Sequence, residues 1–269
     1  MNNHVREFYK QFSNDEPNGH FHKVIALQEA ADVDLETVSS FAPALSKGWY
    51  ELAHLKNKDR IDFLFDFWLS KLPFHPKAQK NLEKFFSSIS EIGVYLVQKG
   101  FDDPFKINMV YSLKNETSFY RGEPSASEEK IAALQQAFPS VILPEDYKAF
   151  LRIHDGFSKT TDCTGVIPST EMLETYKRFQ EMVEGADPIT MKKGVLVDPK
   201  KLIPFYESFG MPFFQCFWAD WYPQNEMGNV YFSAQLKTIS NVTRPDSSTE
   251  TMAFPTYMDW LFFYLEQIT

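Results

Sequence analysis

The chain has 269 residues, of which 43% are hydrophobic and 26 are phenylalanine, too much apolar surface for a disordered polymer. Its 27 Lys and Arg against 36 Asp and Glu leave a formal net charge of -9, which works against nonspecific binding to nucleic acid or anionic membranes and suits a basic protein partner. Cys163 and Cys216 are the only cysteines, so neither a disulfide framework nor a four-thiolate zinc site can be built, and no apolar run reaches the roughly eighteen residues of a membrane span. A folded chain of this size buries about three quarters of its surface, enough for one or two domains without metal or disulfide staples. The start carries no basic stretch followed by an apolar core, so a cytoplasmic location is expected.

Residues 1 to 20 are polar, with a breaker cluster at Asn14 to Gly19, and a first helix is expected near Phe21. Val24 to Ala31 and Leu35 to Leu45 are short helical patterns. Asp59 to Leu72 is stronger: Ile61, Leu64, Phe65, Trp68, Leu69 and Leu72 form one wide stripe, with Phe63 and Phe67 beside it. A further helix is expected from Pro76, carrying Leu82, Phe85, Phe86, Ile89, Ile92 and Leu96 on one face until Gly100. Residues 1–100 therefore read as an N-terminal helical unit. The period then changes to two: Phe105, Ile107, Met109, Tyr111 and Leu113 alternate with Lys106, Asn108, Val110, Ser112 and Lys114, a half-buried strand. The boundary to a second, α+β domain over 101–269 is placed at this change of period.

Ser125 to Phe138 reads as a helix with Ser125 and Glu128 spaced as a capping box and Ile131, Leu134 and Phe138 as its stripe. The next helix has a readable start, face and stop. Pro144 suits the first helical position, after Leu143, because its missing N–H would be unpaired there, and Glu145 and Asp146 then sit near the positive end of the macrodipole. Tyr147, Phe150, Leu151 and His154 fall at i, i+3, i+4 and i+7, and Gly156 can take a left-handed cap with Phe157 folding back toward Leu151.

This stretch resembles the hallmark helix of the SMI1/KNR4 family, or SUKH superfamily, whose members carry a Leu-Pro-x-(Asp/Glu)-(Tyr/Phe)-x-x-(Phe/Tyr)-(Leu/Tyr) helix ending in an Asn-Gly or Asp-Gly turn. The resemblance is strongest over residues 127–157. It implies a mixed, largely antiparallel sheet with flanking helices, supplied here by residues 212–243 and a closing helix over 255–268. It also implies a binding role without catalysis. Bacterial relatives are often immunity proteins that neutralise a toxin domain, and fungal relatives are regulators and scaffolds linked to cell-wall synthesis.

Downstream of the motif, Thr164 to Ile167 and Leu202 to Tyr206 are strand candidates flanking a helical stretch from Ser169 to Val183. Phe213 to Ala219 is apolar on both alternating faces, as in a central strand covered on both sides, with Asn229 to Ala234 and Thr238 to Thr243 as meander strands beside it. Pro255 opens a last helix with Tyr257, Trp260, Leu261, Tyr264, Leu265 and Ile268 on the face expected to seal the sheet.

No side-chain pattern announces a reaction. His154 and Asp155 are adjacent, and adjacent helical residues point about 100° apart, so they form no dyad. His20 and His22 lack a third metal ligand at fixed spacing. Gly228 reads as a hairpin turn rather than a phosphate cradle, and Gly-x-Ser-x-Gly, His-Glu-x-x-His and Cys-x-x-Cys are absent. No catalytic residue, metal or cofactor is assigned. Trp218 to Gly228 differs: it leaves a buried strand while still carrying large aromatics with polar handles and two carboxylates, the residue types that anchor interfaces. Asp220, Trp221, Tyr222 and Glu226 are the candidate partner contacts, although relatives often have Gly-Asp where this chain has Ala219-Asp220. The expected function is a cytoplasmic protein-binding module of the immunity type, facing a basic toxin domain. The alternatives are a regulatory scaffold or an enzyme with an unrecognised acidic site.

Overall fold

The computed structural model describes residues 1–11, 18–30, 33–162, 164–184, 188–190, 196–208, 213–234, 238–240 and 252–266. Most of the Asn14 to Gly19 cluster, Cys163, the end of the expected strand Thr238 to Thr243 and Ile268 lie outside these residues. The chain is α+β and separates into two compact units, Met1–Ser70 with Leu82–Pro124, and Lys71–Asn81 with Ser125–Gln267. Every ladder between the strands named below is antiparallel.

In the first unit, α1 (Asn3–Phe8) is followed by β1 (Lys23–Ala26), α2 (Leu35–Phe41), α3 (Lys47–Ala53), α4 (Asn57–Lys71) and α5 (Ala78–Ser87). Three more strands follow, β2 (Ile89–Gln98), β3 (Lys106–Leu113) and β4 (Phe119–Gly122), and the sheet order is β1-β2-β3-β4. The run expected as one helix from Pro76 to Gly100 is therefore half strand, and residues 1–100 are not wholly helical. Ile89, Ile92 and Leu96 hold helical spacing, but Ile92 to Val97 is a continuous apolar, β-branched and aromatic run buried on both faces. Such a run fits either period. Ser88 marks the change: its hydroxyl donates to the Phe85 carbonyl at 2.6 Å, closing α5 before the strand begins.

Both faces of β2 and β3 are covered. Tyr95, Val97 and Val110 meet α1, where Tyr9 stacks on Tyr95 at 5.0 Å. On the other face Tyr111 packs edge-on against Trp68 of α4 at 5.8 Å and receives the Trp68 indole N–H at 3.2 Å. The strand expected to be half-buried is thus buried on both faces from Met109 onward. Val24 to Ala26, expected as helix, pairs with β2 instead, and a single 3₁₀ turn, Leu27–Glu29, follows.

The second unit holds α6 (Glu128–Ala137), α7 (Glu145–Leu151), β5 (Phe157–Lys159), β6 (Gly165–Val166), α8 (Met172–Val183), β7 (Leu202–Glu207), β8 (Phe213–Trp218), β9 (Asn229–Ser233), β10 (Thr238–Ile239), β11 (Ala253–Phe254) and α9 (Tyr257–Glu266). The order is β5-β6-β7-β8-β9-β10, with β11 also on β9. β8 is covered on both faces, as its sequence predicts. Phe214, Cys216 and Trp218 enter a core with Phe179 of α8, Val230 and Phe232. Phe217 faces the other way, stacked on Phe205 at 4.3 Å and 5.1 Å from Tyr147 of α7. Trp260 of α9 closes that side, 4.8 Å from Phe205. A buried polar relay crosses this layer. Gln215 Nε2 donates to Asn229 Oδ1 at 2.7 Å, and Asn229 Nδ2 donates to the Thr256 carbonyl at 2.9 Å, tying β8 and β9 to the start of α9.

Three caps differ from expectation. The α6 cap is Ser127, whose hydroxyl accepts the Lys130 N–H at 3.3 Å, so the capping serine lies two residues beyond Ser125. Pro144 occupies the cap rather than the first helical turn, a shift of one residue. Thr256, not Pro255, caps α9: its hydroxyl accepts the Asp259 N–H at 3.0 Å and donates to the Asp259 carboxylate at 2.9 Å.

Candidate functional site

The motif helix α7 is a framework element. Leu143, Tyr147, Phe150 and Leu151 are fully buried. Phe150 lies edge-on to Phe157 at 5.6 Å, and the Tyr147 hydroxyl donates to Met172 Sδ at 3.5 Å. The helix ends at Leu151, so His154 lies beyond it, buried and stacked on Phe157 at 5.4 Å. Asp155 turns away: its two oxygens accept the Ser169 N–H at 2.6 Å and the Ser169 hydroxyl at 2.8 Å, with Lys130 Nζ at 3.7 Å. Gly156 has φ of +114°, but it stands five residues past Leu151 and turns the chain into β5 rather than capping α7.

Asp146 departs most from its sequence reading. Its Oδ1 accepts the N–H of Tyr147, while its Oδ2 accepts the N–H of Met258 at 2.9 Å, so this carboxylate ties the start of α7 to the first turn of α9. Burial pushes its carboxyl up to about 6; the Met258 N–H works against that rise and the nearby Glu226 adds to it.

The segment from Trp218 to Gly228 is a loop tied at its neck. Trp218 N–H donates to the Gly228 carbonyl, Gly228 N–H to the Trp221 carbonyl, and Ala219 N–H to the Lys201 carbonyl, each at 2.9 Å. Gly228 serves close packing here, because a Cβ at that position would lie 2.4 Å from the Trp221 ring. Trp221 is accordingly half-buried against the core that holds Trp218. Asp220 is exposed, 3.8 Å from Lys201 Nζ. Tyr222 stands out at 49% exposure, and Asn225 takes a φ of +62° that returns the chain to Glu226.

Glu226 joins this loop to the motif. Its Oε2 accepts the N–H of Glu145 at 3.1 Å, capping α7 from outside the helix. The two segments singled out in the sequence therefore meet, and between them lies a cleft of about 430 Å³. Val141, Leu143 and Met227 give it an apolar wall, and Tyr222 and the 74%-exposed Ile142 stand at its rim. Glu145 at the same rim is paired with Lys148 at 2.5 Å.

Glu226 also lines a second recess of about 410 Å³, which Asp146 and Asp259 share. His75 Nε2 lies 3.4 Å from the Asp259 carboxylate, and Phe74, 95% exposed, forms the lip. Burial favours the protonated form of Asp259, but the bonds from His75 and Thr256 outweigh it and hold the carboxyl below the usual aspartate range. Ile142, Phe74 and the outward reach of Asp146 were missed in the sequence. Phe74 follows Pro73, and Ile142 lies in the link between α6 and α7, where periodicity assigns no face.

This arrangement offers an apolar and an acidic recess set on buried framework residues. Among the described residues no three His, Cys, Asp or Glu side chains converge to hold a metal, and no helix is long and apolar enough to cross a membrane. The class is a non-catalytic scaffold or binding domain. Residues 125–261, just over half of the chain, match the SMI1 / KNR4 family (SUKH-1), and the chain belongs to that family. It is accordingly a protein-binding module. No curated protein and no solved structure matches it.

Proposed function

We propose that this binding module is of the immunity type, neutralising a toxin domain in the cytoplasm. The observation that carries the reading is the meeting of the loop at Tyr222 and Glu226 with the start of α7, which sets an exposed aromatic and a half-buried carboxylate beside an apolar cleft. Asp220, Tyr222 and Glu226 offer the contacts, and Trp221 holds the loop in place from beneath. A net charge of -9 supports a basic partner drawn in by long-range attraction.

The test is co-expression with the toxin-like gene that such a protein must accompany. One stoichiometric complex, protection of the host cell, and an association rate that falls with added salt are expected. Many substoichiometric partners without protection would replace this reading with the regulatory scaffold. A bound small molecule turned over by the chain would replace both with an enzyme.

A further inference from the structure

Two recesses share Glu226, and they differ in chemistry. The first is walled by Val141, Leu143 and Met227 and rimmed by Ile142 and Tyr222, apolar side chains that nothing described in the structure covers. The second has carboxylates at its floor, Asp146, Glu226 and Asp259, set against one lysine, Lys77, and His75, with the ring of Phe74 standing free at its lip. A short apolar side chain fits the first, where it removes Ile142 and Tyr222 from water. The second calls for a long aliphatic stem ending in a cation. Such a chain packs its methylenes on Phe74, places charge against the ring face and donates to carboxylates below.

Resting on the reading of a protein-binding module, we infer that the two recesses together dock one extended segment of the partner, presenting an apolar side chain close to an arginine or lysine. Glu226 is the hinge of this recognition, because it borders both recesses and, among the described residues, only one of its oxygens is engaged, by the Glu145 N–H. Burial of Asp146 beneath it strengthens the demand for a cation, since that carboxylate is held partly out of water. An acidic segment sets like charge against these carboxylates, and a wholly apolar one adds no counter-charge to that of His75 and Lys77.

The experiment uses the full chain and capped hexapeptides carrying one leucine and one arginine, separated by one to three alanines, with binding read by polarisation and by backbone amide shifts. Saturable binding is expected, with shifts confined to residues 141–145, 222–227 and 74–77. Replacing the peptide's arginine with glutamate, or its leucine with serine, should weaken binding about tenfold or more. Glu226→Gln keeps an acceptor for the Glu145 N–H and should weaken the arginine peptides selectively. Phe74→Ala, at a site outside the core, carries the same test if Glu226→Gln fails to fold. Absence of saturable binding, equal binding of the glutamate peptides, or shifts elsewhere on the chain overturns the inference. A toxin partner bound with full affinity by Glu226→Gln, Phe74→Ala and Ile142→Asp also overturns it while leaving the binding module standing. Peptide binding without any protein partner does the reverse.

Discussion

The carboxylate of Asp146 accepts the backbone N–H of Met258 across 112 positions of sequence, at 2.9 Å, and so fastens the motif helix to the closing helix. Its carboxyl is pushed up to about 6 from 3.8. Between these two values the folded chain therefore holds a proton there that the unfolded chain has released, and the stability contributed by this group is full below the ordinary aspartate value and is lost as pH rises through about 6. Asp146→Asn removes that dependence. The difference in urea-unfolding free energy between wild type and Asp146→Asn should move in the variant's favour by up to about 3 kcal/mol from about pH 4 to about pH 7.5. A difference that stays constant with pH would show that the two N–H bonds, not burial, govern this carboxyl.

Lys159 gives a dependence of opposite slope. It is buried, its Nζ lies 4.2 Å from the centre of the Tyr264 ring, and burial lowers its pKa to about 8 against a smaller pull from Asp162. The Asp162 carboxylate receives the hydroxyls of Tyr206 and Tyr264. The unfolded chain keeps the lysine proton up to 10.5, so unfolding takes up a proton between about 8 and 10.5 and stability rises with pH across that window. Relative to Lys159→Met, the wild type should gain about 2 kcal/mol between about pH 7 and about pH 9.5, measured by denaturant titration. Parallel curves for the two proteins would place the ammonium in a solvated position.

Gly228 and Trp221 should behave as one unit. A methyl at Gly228 meets the Trp221 ring at 2.4 Å, so Gly228→Ala should cost about 1–3 kcal/mol and shift tryptophan emission toward the solvent-exposed wavelength. In the Trp221→Ala background the same substitution should cost much less. Additive costs in the double-mutant cycle would mean that the glycine is required by its backbone rather than by the ring.

Asp155 holds both polar groups of Ser169 and lies near Lys130. Asp155→Ala leaves a buried N–H and hydroxyl without an acceptor and should lower unfolding free energy by about 2–4 kcal/mol, more than Ser169→Ala does. Equal losses in the two variants, read by thermal or urea unfolding, would assign the effect to local packing alone.

Much of the second unit was legible because its signals are local. The stripe Tyr147, Phe150, Leu151 belongs to one helix, and the two-sided apolar run from Phe214 to Trp218 belongs to one central strand. Ile92 to Val97 was misread since a fully buried strand carries apolar residues at every spacing, helical spacing included. Short elements such as β4 and β11 are too brief for any period to show. In the candidate site, Tyr222 and Glu226 were legible as aromatic and acidic residues in a turn. The pairing of Glu226 with Glu145 was not, because it joins positions 81 residues apart and depends on where the loop returns. The reach of Asp146 to Met258 was hidden for the same reason, behind a sufficient local explanation as a helix-start acid.

The tied neck of the loop separates what can diverge from what cannot. Trp218, Trp221 and Gly228 close it by backbone bonds and ring packing, while Tyr222, Pro223, Gln224 and Asn225 lie beyond the neck and are all exposed. Residues at the tip can be exchanged, or the tip lengthened, without disturbing the core beneath. Substitutions at these four positions are thus kept apart from the backbone bonds and ring packing that hold the loop to the core.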